Sequence, residues 1–237
     1  MDKGDFTRPL VERRSFGQQV RQQSFSSSSK SPVIRFLAHF FSFIFHPLFI
    51  PGYIAAFLLF IHPYVFSGFN EKLRVLRLIS VILLTAVFPL FTVFLLKQLG
   101  FVRSIFLRTQ KERIIPYIAS MFYFFWIFYV SRTLPDSPRL FVVMLLGVFI
   151  SSIAALMANI YFKVSMHAIA MGALVSFFVM LSMQGNFSMG IFLSAAILIA
   201  GLVCTSTLLV SDHYPFEVYA GFFLGVISQS IAGFFVS

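Results

Sequence analysis

The chain has 237 residues, of which 59% are hydrophobic and only 11% are charged, and its mean hydropathy is +0.91. A soluble domain of this length cannot hide that much apolar surface, which excludes an ordinary soluble fold. The net charge of +10 at pH 7 is explained by loops that face an anionic membrane surface, so nucleic acid is not an expected partner.

The amino-terminal segment, residues 1–32, differs in composition from the rest of the chain. It is charged, rich in Gln and Ser, and contains four consecutive serines at 26–29. Such a segment cannot bury a core, so we predict a mostly disordered, basic, Ser-rich tail. We do not expect a signal peptide, because a long polar stretch precedes the first apolar run and that run is too long.

Beyond the tail, long stretches without Asp, Glu, Lys or Arg alternate with short polar segments. A bilayer core takes about 20 apolar residues per helix, and these stretches are apolar all round instead of alternating, which favours helices over strands. We predict an all-α, polytopic membrane helix bundle with six to seven transmembrane helices. The candidate helices are 36–65, 76–97, 115–131, 139–162, 166–184, 188–210 and 214–236.

Three features along these segments predict breaks or turns. The first candidate helix is too long for one span and contains Pro47 and Pro51, which must break or kink it. An alternative places residues 33–45 along the membrane interface, with the span starting near Leu48. Pro89 predicts a kink in the second helix, and residues 184–186 predict the turn between the fifth and sixth.

Counting the spans places three polar clusters, at 108–113, 163–167 and 213–217, on the same side of the membrane. That side, which includes the amino terminus, carries 13 of the 18 Lys and Arg residues, and the opposite side carries five. The positive-inside rule therefore predicts a cytoplasmic amino terminus in a multi-pass protein of a bacterial inner membrane. Without the tail and Arg35 the count is six against five, so the orientation depends on the tail.

The cluster around His213 has the spacing of a histidine whose ring is oriented by a nearby carboxylate. Pro215 suits the first turn of a helix, and residues four apart, such as His213 and Glu217, lie on one helix face. Glu217 can accept a hydrogen bond from one ring nitrogen and so fix which nitrogen keeps its lone pair, as a nucleophile or base requires. The alternative is a polar helix start with an acidic residue near the positive end of the helix dipole.

The other two clusters carry groups suited to phosphate. Ser165 and His167 open a predicted helix, where backbone N–H groups attract anions and a histidine can protonate a leaving alcohol. The alternative for His167 is an amphipathic interfacial residue. Arg108, Lys111 and Arg113 precede another helix, and arginine binds phosphate through a planar fork of donors. The alternative for these cations is a positive-inside loop.

The remaining metal-ligating side chains do not form a recognisable site. His39, His46 and His62 show neither the i,i+4 nor the HExxH spacing of metal ligands, so we predict no metal and no cofactor. Cys204 lies inside a predicted span and is expected to be a small apolar packing residue.

The order of the clusters, which is cations, then Ser-x-His, then His-x3-acid, resembles the three-part signature of the PAP2 family, the type 2 phosphatidic acid phosphatase and vanadium haloperoxidase superfamily. The run His213–Val218, followed by Ala220, Gly221 and Gly225, resembles the end of the third motif. The resemblance covers about residues 100–237, which it identifies as a PAP2-like membrane core following amino-terminal membrane helices at 33–99.

The resemblance implies metal-independent hydrolysis of a lipid phosphate monoester or an isoprenoid pyrophosphate. It implies that His213 attacks phosphorus to form a phosphohistidine, that Glu217 orients it in place of the usual Asp, and that His167 protonates the leaving group. The phosphate-binding residues that it implies are Arg113, Lys111, Arg108 and Ser165. The implied partners are membrane lipids that carry a phosphate.

One departure from the family pattern supports a second hypothesis. Thr207 stands where the third motif has an arginine, six residues before His213, and losing one such donor can cost about 10²–10³ in rate. Arg108 or Lys163 could substitute for it. The second hypothesis is a catalytically degenerate relative that binds lipid or scaffolds other membrane subunits. A transporter is the third, and the lack of charged residues inside the predicted spans disfavours it.

Overall fold

The computed structural model describes residues 32–62, 64–102, 110–184, 188–210 and 213–236. Residues 1–31 of the predicted tail, Arg108 and the predicted turn residues Gly185 and Asn186 lie outside these ranges. The described part of the chain is all-α, as predicted. Its eight helices are α1 Pro32–Ile44, α2 Ile50–Ile61, α3 Glu71–Gln98, α4 Gln110–Thr133, α5 Arg139–Tyr161, α6 Met166–Ser182, α7 Gly190–Val210 and α8 Pro215–Phe235.

The chain divides into two compact units, Met1–Phe36 and Leu37–Ser237. In the first unit, the described residues form the beginning of α1. The second unit contains the rest of α1 and the other seven helices, and every contact discussed below lies within it.

Five helices are long and apolar enough to cross a membrane, namely α3, α4, α5, α7 and α8. Many large apolar side chains on them point away from the protein, such as Phe122 and Phe223, which are 69% and 61% exposed. A water-soluble surface does not carry so many exposed aromatic and aliphatic side chains, whereas a surface that faces lipid does. The helices therefore indicate a multi-pass integral membrane protein.

Two of the seven predicted spans differ from the structure. The segment predicted as one helix at 36–65 forms two short helices, α1 and α2, separated at His46 and Pro47. Pro47 breaks the helix as expected, but Pro51 lies in the first turn of α2, where its missing N–H removes no helical hydrogen bond. The span predicted at 166–184 is the 17-residue helix α6, which is shorter than the five long helices.

The α3 helix passes through Pro89 by widening just before it. Residues Leu83–Val87 form a π-helical turn. The Pro89 ring has no N–H for the carbonyl of Thr85, four residues earlier, and it crowds that carbonyl. A π turn shifts the local hydrogen bonds by one residue, which accommodates the proline without ending the helix.

The core of the bundle is formed by α8 packed on α6 and α5, with α4 against α5 and α7 against α6. Gly172 of α6 and Gly225 of α8 lie at the α6–α8 contact. A Cβ atom on Gly225 would overlap the carbonyl of Ile169, and one on Gly172 would overlap the carbonyl of Phe222. The two helices therefore approach at backbone distance, which is how small residues pack membrane helices.

Candidate active site

The site forms where the loop before α6 meets the first turn of α8. The backbone N–H of Ser165 donates to the carbonyl of Glu217 at 3.4 Å. Ser165 is fully buried and caps α6, because its Oγ accepts the N–H of Ala168 at 3.3 Å. Gly221, one turn after Glu217, leaves room for this contact, since a Cβ there would lie 2.9 Å from the Ser165 carbonyl oxygen.

His213 and Glu217 form a hydrogen-bonded pair at this end of α8. The distance from His213 Nδ1 to Glu217 Oε2 is 2.8 Å, and the two side chains are 8% and 11% exposed. Glu217 Oε2 also accepts the backbone N–H of Tyr214 at 3.1 Å, which fixes the carboxylate on the helix start. Because a carboxylate only accepts, Nδ1 carries the proton and the lone pair of a neutral His213 lies on Nε2.

Arg113 reaches the same region from the first turns of α4. Its guanidinium donates to the carbonyl of Val164 at 3.2 Å. The start of α4 is tied to the end of α5 by a reciprocal pair, in which Gln110 Nε2 donates to the Asn159 carbonyl and Asn159 Nδ2 donates to the Gln110 carbonyl, both at 3.0 Å. These bonds hold Arg113 beside the loop that carries Ser165.

His167 lies in the first turn of α6, with its ring held from the α1 side. Its Nε2 lies 3.0 Å from the carbonyl oxygen of Ser42. Since a carbonyl has no proton to donate, Nε2 carries the hydrogen of the neutral ring, and the lone pair lies on Nδ1. Burial lowers the pKa of His167, the hydrogen bond with Ser42 acts in the opposite direction, and the positive charges of His213 and Arg113 add to the lowering. The two imidazoles and the guanidinium therefore share one electrostatic environment.

Burial lowers the pKa of His213 below its ordinary value of 6.5. The hydrogen bond with Glu217 acts in the opposite direction, and the positive charges of Arg113 and Lys163 add to the lowering. His213 is therefore neutral at pH 7, with a free lone pair on Nε2. A neutral imidazole that donates to a carboxylate, next to cations, can attack an electrophilic centre that carries negative charge.

The structure therefore brings together four residues that the sequence predicts for the site: Arg113, His167, His213 and Glu217. It also brings the charge of Lys163 close enough to affect His213. Lys111 is exposed on the first turn of α4, and Arg108 lies outside the described residues. The hydroxyl of Ser165 is buried in this conformation.

Thr207, which replaces the arginine of the third motif, is 3% exposed in α7. Its Oγ1 donates to the carbonyl of Val203 at 2.9 Å, one helical turn earlier. This is the usual hydrogen bond of a threonine inside a membrane helix. Within the described ranges, Arg113 and Lys163 are the cations whose charges act on His213.

One residue at the site was missed by the sequence analysis. His46, in the break between α1 and α2, packs its ring against that of His167, with ring centroids 5.5 Å apart and planes at 82°. We interpreted His46 and Pro47 only as a helix interruption. The sequence gives no signal that the break folds back onto α6, because four helices, α2 to α5, lie between the two histidines in the chain.

The fold and the site together define a class: a polytopic helical membrane protein with a buried histidine–carboxylate pair beside a second histidine and an arginine. Among the described residues, no three His, Cys, Asp or Glu side chains come together as metal ligands do. Comparison of the chain with protein-family models, curated proteins and solved structures gives no match.

Proposed function

We propose that this protein is an integral membrane phosphatase with a PAP2-like core that hydrolyses a lipid phosphate monoester or an isoprenoid pyrophosphate. The observation that carries the proposal is the 2.8 Å bond between His213 Nδ1 and Glu217 Oε2, next to Arg113 and His167. Phosphoryl transfer through an enzyme nucleophile requires a nucleophile that a carboxylate orients, a cation that binds the phosphate and an acid that protonates the leaving group. His213 with Glu217, Arg113 and His167 are groups of these three kinds.

In the proposed reaction, Nε2 of His213 attacks phosphorus and the bond from phosphorus to the lipid oxygen breaks. The leaving oxygen takes a proton from the protonated form of His167, through Nδ1, because Nε2–H is held by Ser42. Water then attacks the phosphohistidine and gives one proton to Nδ1 of His167, which the first step left neutral. The phosphorus–nitrogen bond breaks, its electron pair returns to Nε2 of His213, and inorganic phosphate leaves. Glu217 keeps the proton on Nδ1 of His213 throughout.

Charge on the phosphate is offset by Arg113, with Lys163 contributing from the loop before α6. Lys111 and Arg108 precede Arg113 and are proposed to guide the anionic substrate towards it. Ser165 would serve as a donor to a phosphate oxygen only after the loop exposes its hydroxyl. The proposal places the site on the same side of a bacterial inner membrane as the amino terminus, which the positive-inside rule assigns to the cytoplasm.

Phosphate release by purified protein in detergent micelles tests the proposal. We expect release from phosphatidate, phosphatidylglycerol phosphate or an isoprenoid pyrophosphate in the presence of EDTA, and its loss in His213→Ala. His39→Ala is the matched control, because His39 is exposed on α1. Equal release by the wild type and His213→Ala, or no release from any of the three substrates, would contradict the proposal.

The degenerate, lipid-binding alternative is favoured by Thr207, which leaves the third motif without its arginine. On that hypothesis, the protein binds a lipid phosphate through Arg113 without turning it over, alone or with other membrane subunits. Binding of a fluorescent phosphatidate analogue that is weakened by Arg113→Met, with no phosphate released over many hours, would favour this alternative. Release of phosphate at any rate that depends on His213 would exclude it.

A further inference from the structure

The break between α1 and α2 encloses the ring of His167 from two directions. The carbonyl of Ser42, in the last turns of α1, accepts Nε2–H of His167 at 3.0 Å. Four residues further along, the ring of His46 meets that of His167 edge to face at 5.5 Å. One short segment therefore supplies both a hydrogen bond and a ring contact to a histidine 125 residues away in the chain.

The break also holds His46 itself in place. Nδ1 of His46 accepts the backbone N–H of Leu48 at 3.4 Å, and its backbone carbonyl accepts the N–H of Phe49 at 2.9 Å. An acceptor nitrogen carries no proton, so the neutral ring bears its hydrogen on Nε2. The loop thus fixes both the position and the tautomer of His46.

The surroundings of the two rings disfavour a charge on either of them. Burial, with a further contribution from the charge of His167, lowers the pKa of His46 to about 4. His167 also faces the charges of Arg113 and His213. The Ser42 carbonyl favours the protonated form of His167, because it accepts a hydrogen bond from that ring. Burial nevertheless lowers the pKa of His167 as well, so neither ring gains a charge easily. His46 therefore stays neutral near pH 7, and the neutral ring of His167 keeps its hydrogen on Nε2.

We propose that His46 is a positioning residue of this site: its neutral ring fixes the orientation of the His167 imidazole. The part of this inference that concerns turnover rests on the proposed function. The part that concerns the orientation and charge of the two rings does not, and it can be tested in a protein without activity.

His62 provides a matched control within the same chain. It also precedes a proline, and its Nδ1 also accepts backbone N–H groups, from Tyr64 at 3.4 Å and Val65 at 3.3 Å. It differs from His46 in having no contact with His167 among those described. If His46 only stabilised the local break in the helix, His46→Ala and His62→Ala would have the same effect on His167.

Nitrogen NMR of protein labelled with ¹⁵N-histidine, in micelles, tests the orientation and charge directly. We expect His167 to show the Nε2–H tautomer and His46 to stay neutral at pH 5.5. In His46→Ala, the His167 signals are expected to move to values averaged over both tautomers, whereas His62→Ala leaves them unchanged. His167 signals that are the same in His46→Ala and the wild type, or a charged His46 at pH 5.5, would overturn the inference.

Steady-state kinetics of the same variants test the role of His46 in turnover. We expect His46→Ala to lower kcat by about tenfold to a hundredfold with KM changed less than twofold, because misplaced reacting groups lower the rate of the chemical step. His46→Phe keeps the ring contact and should recover most of the loss. An unchanged kcat in His46→Ala would overturn the role in turnover.

The two failures are distinguishable. Wild-type protein that releases no phosphate contradicts the proposed function, while the NMR result still decides the arrangement of His46 and His167. If His46→Ala does not fold, the wild-type tautomers and the charge of His46 at pH 5.5 decide the inference.

Discussion

The imidazole–carboxylate bond between His213 and Glu217 is the contact on which the chemistry depends most directly. Replacing the carboxylate by an amide keeps the shape of the side chain but removes the charge that holds the proton on Nδ1 of His213. We expect Glu217→Gln to lower kcat by about 10²–10⁴, the range found when general acid–base or tautomer control is lost, with little change in KM.

Steady-state phosphate release measures this effect. Glu71→Gln is the matched control, since Glu71 is an exposed acidic residue in the first turn of α3. A Glu217→Gln protein with wild-type kcat would mean that the bond serves only to start α8.

The pH dependence of the rate follows from the lowered pKa of His213. Attack requires the neutral ring, so the rate falls as pH drops through the pKa of His213. Because burial, Arg113 and Lys163 lower that pKa, the acid limb of the profile lies below 6.5. Removing the Lys163 charge removes part of the lowering, so Lys163→Met should raise the pKa of His213 and move the acid limb to higher pH.

A profile of kcat/KM against pH for the wild type, Lys163→Met and the charge-conserving Lys163→Arg measures this shift. Lys163→Arg should retain the wild-type acid limb. An acid limb that stays at the wild-type position in Lys163→Met would show that the charge of Lys163 does not act on His213.

At the scale of the helices, the close contact of α6 with α8 sets the distance between the two halves of the site. Gly225 has no room for a Cβ atom, which would overlap the Ile169 carbonyl and lie 2.8 Å from the Ala173 backbone nitrogen. Gly225→Ala should therefore force the helices apart and lower the free energy of unfolding by about 1–3 kcal/mol, as overpacking of a dense core does.

Gly201 in α7 is the matched control, because nothing lies within 4 Å of a Cβ atom there. Gly201→Ala should be neutral or stabilise the helix by up to about 1 kcal/mol, from the difference in helix propensity. Unfolding in mixed micelles, followed by circular dichroism, compares the two. A Gly225→Ala protein as stable as Gly201→Ala would mean that the α6–α8 contact is looser than the structure has it.

The helices themselves were largely predictable, because charge-free stretches of about 20 residues have few other structures in a bilayer. The end of α1 was predictable from Pro47. The end of α6 at Ser182 was predictable to within two residues, because the turn sequence at 184–186 follows it directly.

The site was predictable where its residues are close in the chain and unpredictable where they are not. The four-residue spacing of His213 and Glu217 gives the hydrogen bond directly, because it depends on helix geometry alone. The bond from His167 to Ser42 and the ring contact with His46 depend on how α1 and α2 fold back. No local pattern encodes such a contact, since it arises from the packing of the whole bundle.

At the scale of the whole molecule, the site requires the loop before α6 and the start of α8 to lie on one side of the membrane. The bonds from Ser165 to Glu217 and from Arg113 to Val164 both join elements at that end of the bundle. The loop between α4 and α5, which includes Asp136, lies at the other end of α4 and α5. Membrane-impermeant maleimide should therefore label the two ends from opposite sides.

Three single-cysteine proteins on a Cys204→Ser background test this arrangement in sealed vesicles. We expect Lys163→Cys and Tyr214→Cys to be labelled from one side, since Tyr214 is 58% exposed and each follows or precedes a helix at the site end. Asp136→Cys should be labelled from the other side. Labelling of Lys163→Cys and Tyr214→Cys from opposite sides would contradict the fold, because no arrangement with these residues on opposite faces can place His213 beside His167.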